Sequence, residues 1–381
     1  MRETGIEWIG AIPEHWSIRK IDQMYKERRT KVSDRDYPPL SVTMKGVVPQ
    51  LATAAKTDAH DDRKLVRKGD FAINSRSDRR GSCGIAPMDG SVSLINTILC
   101  PKNETNPKYL NWLFHTSLFA DEFYRWGHGI VDDLWTTNWS DMKKISIPYP
   151  PLSEQSRIAA FLDERCAKID EAVARHKALI EKLDEYRKAV ITEALKSCNS
   201  DLMKLKFCVK VCTEKADSKD NYIALENIES QTGRYIGNKL LPDGEAVVTK
   251  QGNVLFGKLR PYLAKCYVVE QDGCCSGEFL VMDCKKVSAS FLQYVLLEQT
   301  LVDRINMSTY GTKMPRANWG FISNQLIPVP SPAEQSEIVA FLDKKCAAID
   351  GAKERHQQLI TKLEEYKKSL IYNAVTGKIE C

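Results

Sequence analysis

The sequence predicts an α+β protein in which two related domains of mixed helix and strand are each followed by a long helix, and the two helices pack as an antiparallel coiled coil. Three observations support this. The 381-residue chain repeats itself, the most strongly repeated part has coiled-coil spacing, and the remainder alternates short apolar runs with turn residues.

Shifting the sequence by 180 residues lays residues 148–195 over 328–375 with 26 identities in 48 positions. The match continues upstream more weakly: Asn138-Trp139 lies over Asn318-Trp319, Gly69-Asp70-Phe71 over Gly252-Asn253-Val254, and Tyr109-Leu110 over Phe291-Leu292. The predicted order is therefore a diverged domain at 1–150, a conserved helix at 151–199, a second diverged domain at 200–330 and a second conserved helix at 331–381.

In the first diverged domain, apolar runs bounded by Gly, Pro and Asn predict strands at 66–73 and 92–99, and 109–126 has helical spacing. In the second, the corresponding signals fall at 253–256, 266–269 and 278–282 for strands and 291–307 for a helix. Ser331-Pro332-Ala333-Glu334 is a capping box with Pro at the first helical position; the first long helix starts at Pro151 or Ser153 with a less distinct cap.

Downstream, Leu162, Cys166, Ile169, Val173, His176, Ile180, Leu183, Arg187, Val190 and Ala194 recur at alternating spacings of four and three. Leu342, Cys346, Ile349, Lys353, His356, Ile360, Leu363, Lys367, Leu370 and Ala374 repeat the pattern. A helix of that length runs roughly 60 Å and cannot bury such a stripe alone. Two near copies in one chain bury it by packing with approximate two-fold symmetry, hence antiparallel, which predicts a rod with one domain at each end.

The composition excludes several classes. No apolar run approaches the ~18 residues of a membrane span, and the first residues lack the basic-then-apolar pattern of a signal peptide, so a cytoplasmic chain with reduced thiols is expected from its twelve cysteines. Cys208, Cys212, Cys274, Cys275 and Cys284 invite a zinc site, but the spacing is not Cys-x-x-Cys and the domain has no histidine; buried small hydrophobes account for them better, and no metal is expected. No phosphate loop, Gly-x-Gly-x-x-Gly fingerprint or Asn/Asp-Pro-Pro-Tyr/Phe methylation motif occurs. The one nuclease-like arrangement, Pro242-Asp243 with Asp283-Cys284-Lys285, has loose spacing that chance supplies readily. His176 and His356, equivalent seam positions, fit a register or solvent-edge role better than a metal pair. Trp139 and Trp319 read as core anchors, while Tyr186 and Tyr366 suit either a partner face or the core.

Charge is distributed unevenly. Residues 1–150 carry 22 basic and 19 acidic side chains and residues 201–330 carry 16 and 14, whereas 151–200 (9 and 9) and 331–381 (8 and 8) are neutral. The net +5 thus resides in the diverged domains, as expected if these face a polyanion and the helices face protein. Seven cations fall within residues 63–80: Arg63, Lys64, Arg67, Lys68, Arg76, Arg79 and Arg80, the last three in a Ser/Gly-flanked turn after a strand. Arginine there can fork onto phosphate or onto guanine O6 and N7. The second copy offers Lys258 and Arg260 on the matching turn, and Tyr310, Lys313 and Arg316 on the loop before Asn318-Trp319; His128 lies on the first-copy counterpart of that loop. Lys45, Lys56 and Arg234 complete the candidate set. Equivalent positions with different side chains suit two readers of different sequences, and unselected drift produces the same pattern.

Ile6-Glu7-Trp8-Ile9-Gly10 through Pro13-Glu14-His15-Trp16, Ile147-Pro148 through Glu154-Gln155 with Phe161-Leu162-Asp163, and the repeat of the latter at Ile327-Pro328, Glu334-Gln335 and Phe341-Leu342-Asp343 resemble the specificity subunit of a Type I restriction-modification system. The resemblance covers essentially the whole chain. One departure is that the second diverged domain opens at Asp201-Leu202-Met203-Lys204-Leu205 without the Trp of the first. The resemblance implies two target-recognition domains, each reading half of a split double-stranded DNA target. It also implies helices that space them and dock two modification subunits; the seam positions Leu162, Ile169, His176, Ile180, Leu183, Leu342, Ile349, His356, Ile360 and Leu363, read from the spacing above, are the candidate partner or helix interface. It implies no catalysis and no bound cofactor in this chain. S-adenosylmethionine, ATP and Mg would be used by the modification subunits and by two restriction subunits. The alternatives are a coiled-coil scaffold without DNA, which salt dependence of binding would separate, and an orphan regulatory specificity subunit.

Overall fold

The computed structural model describes residues 1–50, 60–102, 105–130, 135–198, 200–217, 220–237, 244–309, 311 and 313–381. Lys56, Tyr310, the Pro242-Asp243 pair and residues 131–134 lie outside these. The chain divides into two compact units, Met1–His176 with Gln358–Cys381, and Lys177–Gln357. Each unit therefore holds one mixed domain and a stretch of both long helices.

The two mixed domains are built alike. In the first unit a four-stranded antiparallel sheet runs in the order Cys83–Ile85, Phe71–Asn74, Asn96–Pro101, Tyr25–Glu27. In the second, the order Cys266–Val268, Val254–Gly257, Phe279–Cys284, Val209–Cys212 repeats it. A second sheet accompanies each: Gly90–Ser93, Arg63–Val66 and Lys31–Val32 in the first, and Tyr222–Ile223, Gly273–Ser276 and Ala246–Thr249 in the second. A two-stranded ribbon leads to each long helix, Ser17–Lys20 with Ser146–Tyr149 and Leu202–Lys204 with Leu326–Pro328. Fully buried aromatic rings fill the first core, with Phe114 4.8 Å from Phe71 and 4.5 Å from Phe119 between ring centroids. Phe256, Phe291, Leu280 and Met282 fill the second.

Several predicted elements are shorter than the pattern suggested. The apolar run 66–73 is two strands, because Gly69 at φ +89° turns the chain between Val66 and Phe71. The run 92–99 likewise splits between Gly90–Ser93 and Asn96–Pro101. The helix expected at 109–126 is a pair, Pro107–Phe114 and Ser117–Arg125, because the Thr116 side chain accepts from Phe119 N and starts a new helix. The 291–307 stretch breaks the same way: Glu298 caps Gln299–Met307 through Thr300 N and Leu301 N. Capping chemistry overrode a continuous apolar period.

The long helices are Leu152–Lys196 and Pro332–Val375. The capping box forms in the second, with Glu334 N donating to Ser331 Oγ at 3.3 Å and Ser331 N donating to the Glu334 carboxylate at 3.4 Å. In the first, Glu154 instead accepts from Trp16 Nε1 at 2.8 Å and approaches His15 Nε2 at 2.8 Å. The helices pair antiparallel: within the second unit Lys353 meets Asp184 and Arg187 meets Asp350, so the partner steps back as the chain steps forward. Within the first unit Lys367 donates to Asp170 at 2.6 Å. Asp170 and Asp350, like Arg187 and Lys367, are 180 residues apart, so one ion pair is made twice. Leu162, Ile169, Leu342, Ile349 and Ile360 are buried, whereas His176, Ile180, Leu183, His356 and Leu363 are half-buried. Tyr186 and Tyr366 lie outside the core, 49% and 57% exposed.

All twelve cysteines are free thiols. Cys208, with Cys284 packed against its cluster, belongs to one core cluster and Cys275, with Cys212 packed against its cluster, to another, so the five suspected ligands do not all converge. Burial pushes the Cys275 thiol up to about 12 and the Cys284 thiol up to about 11. Among the described residues no group of His, Cys, Asp or Glu is arranged to hold a metal ion. None of the described helices is long and apolar enough to cross a membrane.

Candidate nucleic-acid interface

One backbone device builds the site in both units. In the first, strand Phe71–Asn74 runs into Ser75, whose N–H donates to Ile95 O at 3.2 Å and whose carbonyl accepts from Thr137 N at 2.9 Å. In the second, strand Val254–Gly257 runs into Lys258, whose N–H donates to Glu278 O at 2.8 Å and whose carbonyl accepts from Ala317 N at 3.0 Å. One residue further, Arg76 bridges Thr136 and Leu259 bridges Arg316. Each unit thus sets the turn after its strand beside the loop before its Asn-Trp helix, Trp139–Met142 or Trp319–Ile322. The first-unit loop needs Gly127, where an added Cβ would sit 2.3 Å from Trp135 Nε1.

This device gathers most of the predicted residues. Arg76, Arg79, Arg80 and His128 are exposed in the first unit. Arg80 lies 3.1 Å from Asp121 and its guanidinium stacks 4.5 Å from the Tyr124 ring centroid, which holds its fork in a fixed orientation. Arg79 sits 3.6 Å from Asp78 and His128 3.4 Å from Asp141. In the second unit Arg260 and Lys313 are exposed, and Lys258 is half-buried. Arg260 adopts φ +50°, a left-handed conformation costly for a residue with a Cβ, and its N–H is held by Pro315 O at 2.7 Å. Arg316 grips Glu278 in bidentate fashion at 3.1 and 2.7 Å. Those two occupy the positions of Thr136 and Ile95 in the first unit, so the neutral pair of one copy is an ion pair in the other.

Beside each device lies a cleft of opposite character. The first, about 410 Å³, is lined by Arg29, Lys64 and Arg76 against one carboxylate, Glu27. The second, about 600 Å³, is lined by Glu226, Glu245 and Glu278. Burial lowers the Lys64 pKa, with Glu27 opposing the shift, and its ammonium donates to Asn96 O at 2.7 Å.

Three predicted residues fall elsewhere. Arg63 is buried, donating to Ser91 Oγ at 2.9 Å and Ser91 O at 3.0 Å, so its guanidinium is used inside the domain and cannot reach a polyanion. Lys45 tips the hairpin Leu40–Thr43 and Gly46–Pro49, and Arg234 pairs with Glu229 at 3.0 Å in an exposed turn; neither joins the two-loop device. Arg29, 77% exposed at its side chain, belongs to the first cleft and was missed, although the run Lys26–Lys31 of the sequence marks it as basic. Trp139 lines the same cleft, and Trp319 packs against core residues of the second unit.

The family model for the Type I restriction modification DNA specificity domain matches residues 13–183 and again 198–362. The chain belongs to this family. Its two matches coincide with the duplication, one on each copy of the device. A similar curated protein, the Type I restriction enzyme EcoDI specificity subunit of Escherichia coli, is 25% identical over 285 residues, an alignment spanning 63% of each chain. The fold is shared with a chain solved in work on complex assembly and conformational transition of the type I R-M system (TM-score 0.76, 15% identity, 97% of this chain and 100% of that one). It is also shared with the HsdS subunit from Thermoanaerobacter tengcongensis (TM-score 0.56, 17% identity, 97% and 98%).

Proposed function

We propose that the chain is the non-catalytic DNA-specificity subunit of a Type I restriction-modification complex, reading a bipartite, asymmetric double-stranded target with a fixed gap. The observation behind this reading is the two-loop device, made twice on matching backbone and dressed with different side chains. Matching backbone lets both copies approach a duplex alike. Different side chains at Thr136 and Arg316, Ile95 and Glu278, Arg76 and Leu259 give each copy its own hydrogen-bonding pattern toward base edges. Arg79, Arg80, Arg260 and Lys313 supply the phosphate contacts that set register. Arg76 and Arg316 lie where the two loops meet and are the base-reading candidates.

Family membership supports the partners: two modification subunits on the neutral helices, with restriction subunits joining them. S-adenosylmethionine, ATP and Mg belong to those subunits, and such a complex works in the cytoplasm. The test is co-purification of the chain with the modification subunit from its own genome, followed by methylation mapping with S-adenosylmethionine. A bipartite methylated motif of constant gap is expected; a complex that methylates no bipartite motif contradicts the proposal.

A further inference from the structure

The duplication is incomplete at one place, and the second unit has a groove there. In the first unit, sixteen residues precede the ribbon strand Ser17–Lys20, and they are packed down: Trp8, Ile9, Ile12 and Trp16 are at most 4% exposed. Trp8 meets Phe119 edge to face with centroids 5.8 Å apart, Tyr372 Oη donates to Ile9 O at 3.1 Å, and Glu7 pairs with Arg125 at 3.0 Å. In the second unit the equivalent strand, Leu202–Lys204, follows the helix ending at Lys196 after five residues, so no such segment exists.

The surface that the segment would have covered is still built. Leu301, the third residue of its helix and bonded through its N–H to the cap as Phe119 is, stands at the Phe119 position. Leu195 and Ile327 stand 180 residues from Val375 and Ile147. With Leu202, Val295 and Leu326 they line a cavity of about 350 Å³. Leu202 is 63% and Leu326 47% exposed. Lys196 and Arg304 also line it, whereas the Glu298 carboxylate is taken up by Thr192 Oγ1 and two backbone N–H groups.

We propose that this groove docks an acidic–aromatic segment of a partner protein, of the Glu-Trp-Ile kind that the chain itself lays over the equivalent surface of its first unit. The seat matches that chemistry, with leucine and isoleucine walls for the ring and aliphatic side chain and cations for the carboxylate. A second copy of this chain is a poor donor, because releasing its own segment would expose Trp8, Ile9, Ile12 and Trp16 and break the Trp16 Nε1 bond to Glu154 at 2.8 Å.

The probe is a fluorescent peptide carrying residues 3–16, added to the full chain. Saturable binding is expected, weakened at least about tenfold by Leu202→Lys with Leu326→Lys, two exposed positions whose change leaves the melting temperature intact. Arg304→Glu weakens it as well, and a peptide with Lys in place of Glu7 restores it. Absence of saturable binding overturns the proposal. So does binding unchanged by the double substitution, which would mean exchange into the first unit. Sedimentation of the unlabelled chain supplies the last arm: a dimer abolished by the same two substitutions would assign the groove to a second copy and overturn the partner assignment.

Discussion

The two recognition devices and the two long helices are products of the same duplication, yet they diverged to very different degrees. The helices, with the four residues leading into each, keep 26 of 48 aligned residues and repeat a single ion pair, Asp170–Lys367 and Asp350–Arg187. The devices keep their backbone hydrogen bonds at Ser75 and Lys258 while exchanging nearly every side chain around them. Under the proposed function the contrast has a physical reason: helices that pack on each other and dock the same partner twice must keep their residues, whereas devices that meet two different base sequences need only keep their backbone.

The largest expected effect comes from the helices. Inserting seven residues into both, near Ala178 and Gln358, should abolish modification at the original gap while both half-sites stay the same, as methylation mapping would show. Retention of the original gap would mean that the helix length does not set the spacing between the half-sites.

The ion pair made twice allows a sharper comparison, because its two settings differ. The Arg187 side chain is 5% exposed and also donates to Cys346 O, whereas Lys367 and Asp170 are 26% and 62% exposed. Arg187→Ala should cost about 2 kcal/mol in urea unfolding, because it removes a buried guanidinium together with its bond to Cys346 O and leaves the partly exposed Asp350 unpaired. Lys367→Ala should cost under about 1 kcal/mol. Equal losses would mean that burial does not distinguish the two pairs.

On the recognition side, Arg79→Ala with Arg80→Ala should weaken binding to DNA carrying the first half-site about tenfold and flatten its salt dependence by roughly two phosphate contacts. Unchanged affinity would return both arginines to a solvated surface loop.

The smallest effect concerns the N-terminal segment that only the first unit has. Burial works to raise the Glu154 pKa, but hydrogen bonds from the Trp16 indole and His15 overcome it and hold the carboxyl below its usual range. A carboxylate depressed in the folded state stabilises above its ordinary pKa of 4.5, and that contribution disappears as pH falls through the folded value. Glu154→Gln should therefore lower the stability of this region by about 1 kcal/mol at pH 7 and remove the acid-side dependence. An unchanged pH profile would show that Glu154 does not anchor the segment.

Much of the fold was legible because periodicity and identity are one-dimensional signals. The seam, the capping box at Ser331 and the strand equivalences were readable from spacing alone. The breaks at Thr116 and Glu298 were not, since each depends on a side chain turning back to cap the next helix within an unbroken apolar pattern. The site was legible as a set of basic loops, but not their convergence: the Arg76–Thr136 and Leu259–Arg316 bridges join residues about 60 apart. Arg63 was misassigned because a cation adjacent to others in sequence looks alike whether it faces solvent or a buried Ser91. Arg29 was missed because its strand neighbourhood, not its own motif, brings it to the cleft.

The most direct test of the central claim is to give the second device the first device's residues, Glu278→Ile with Arg316→Thr, and to map the methylated motif of the assembled complex. If equivalent backbones read different half-sites through these side chains, the second half-site relaxes or changes while the first half-site and the gap stay as they were. An unchanged motif, or a change in the first half-site, would contradict the account.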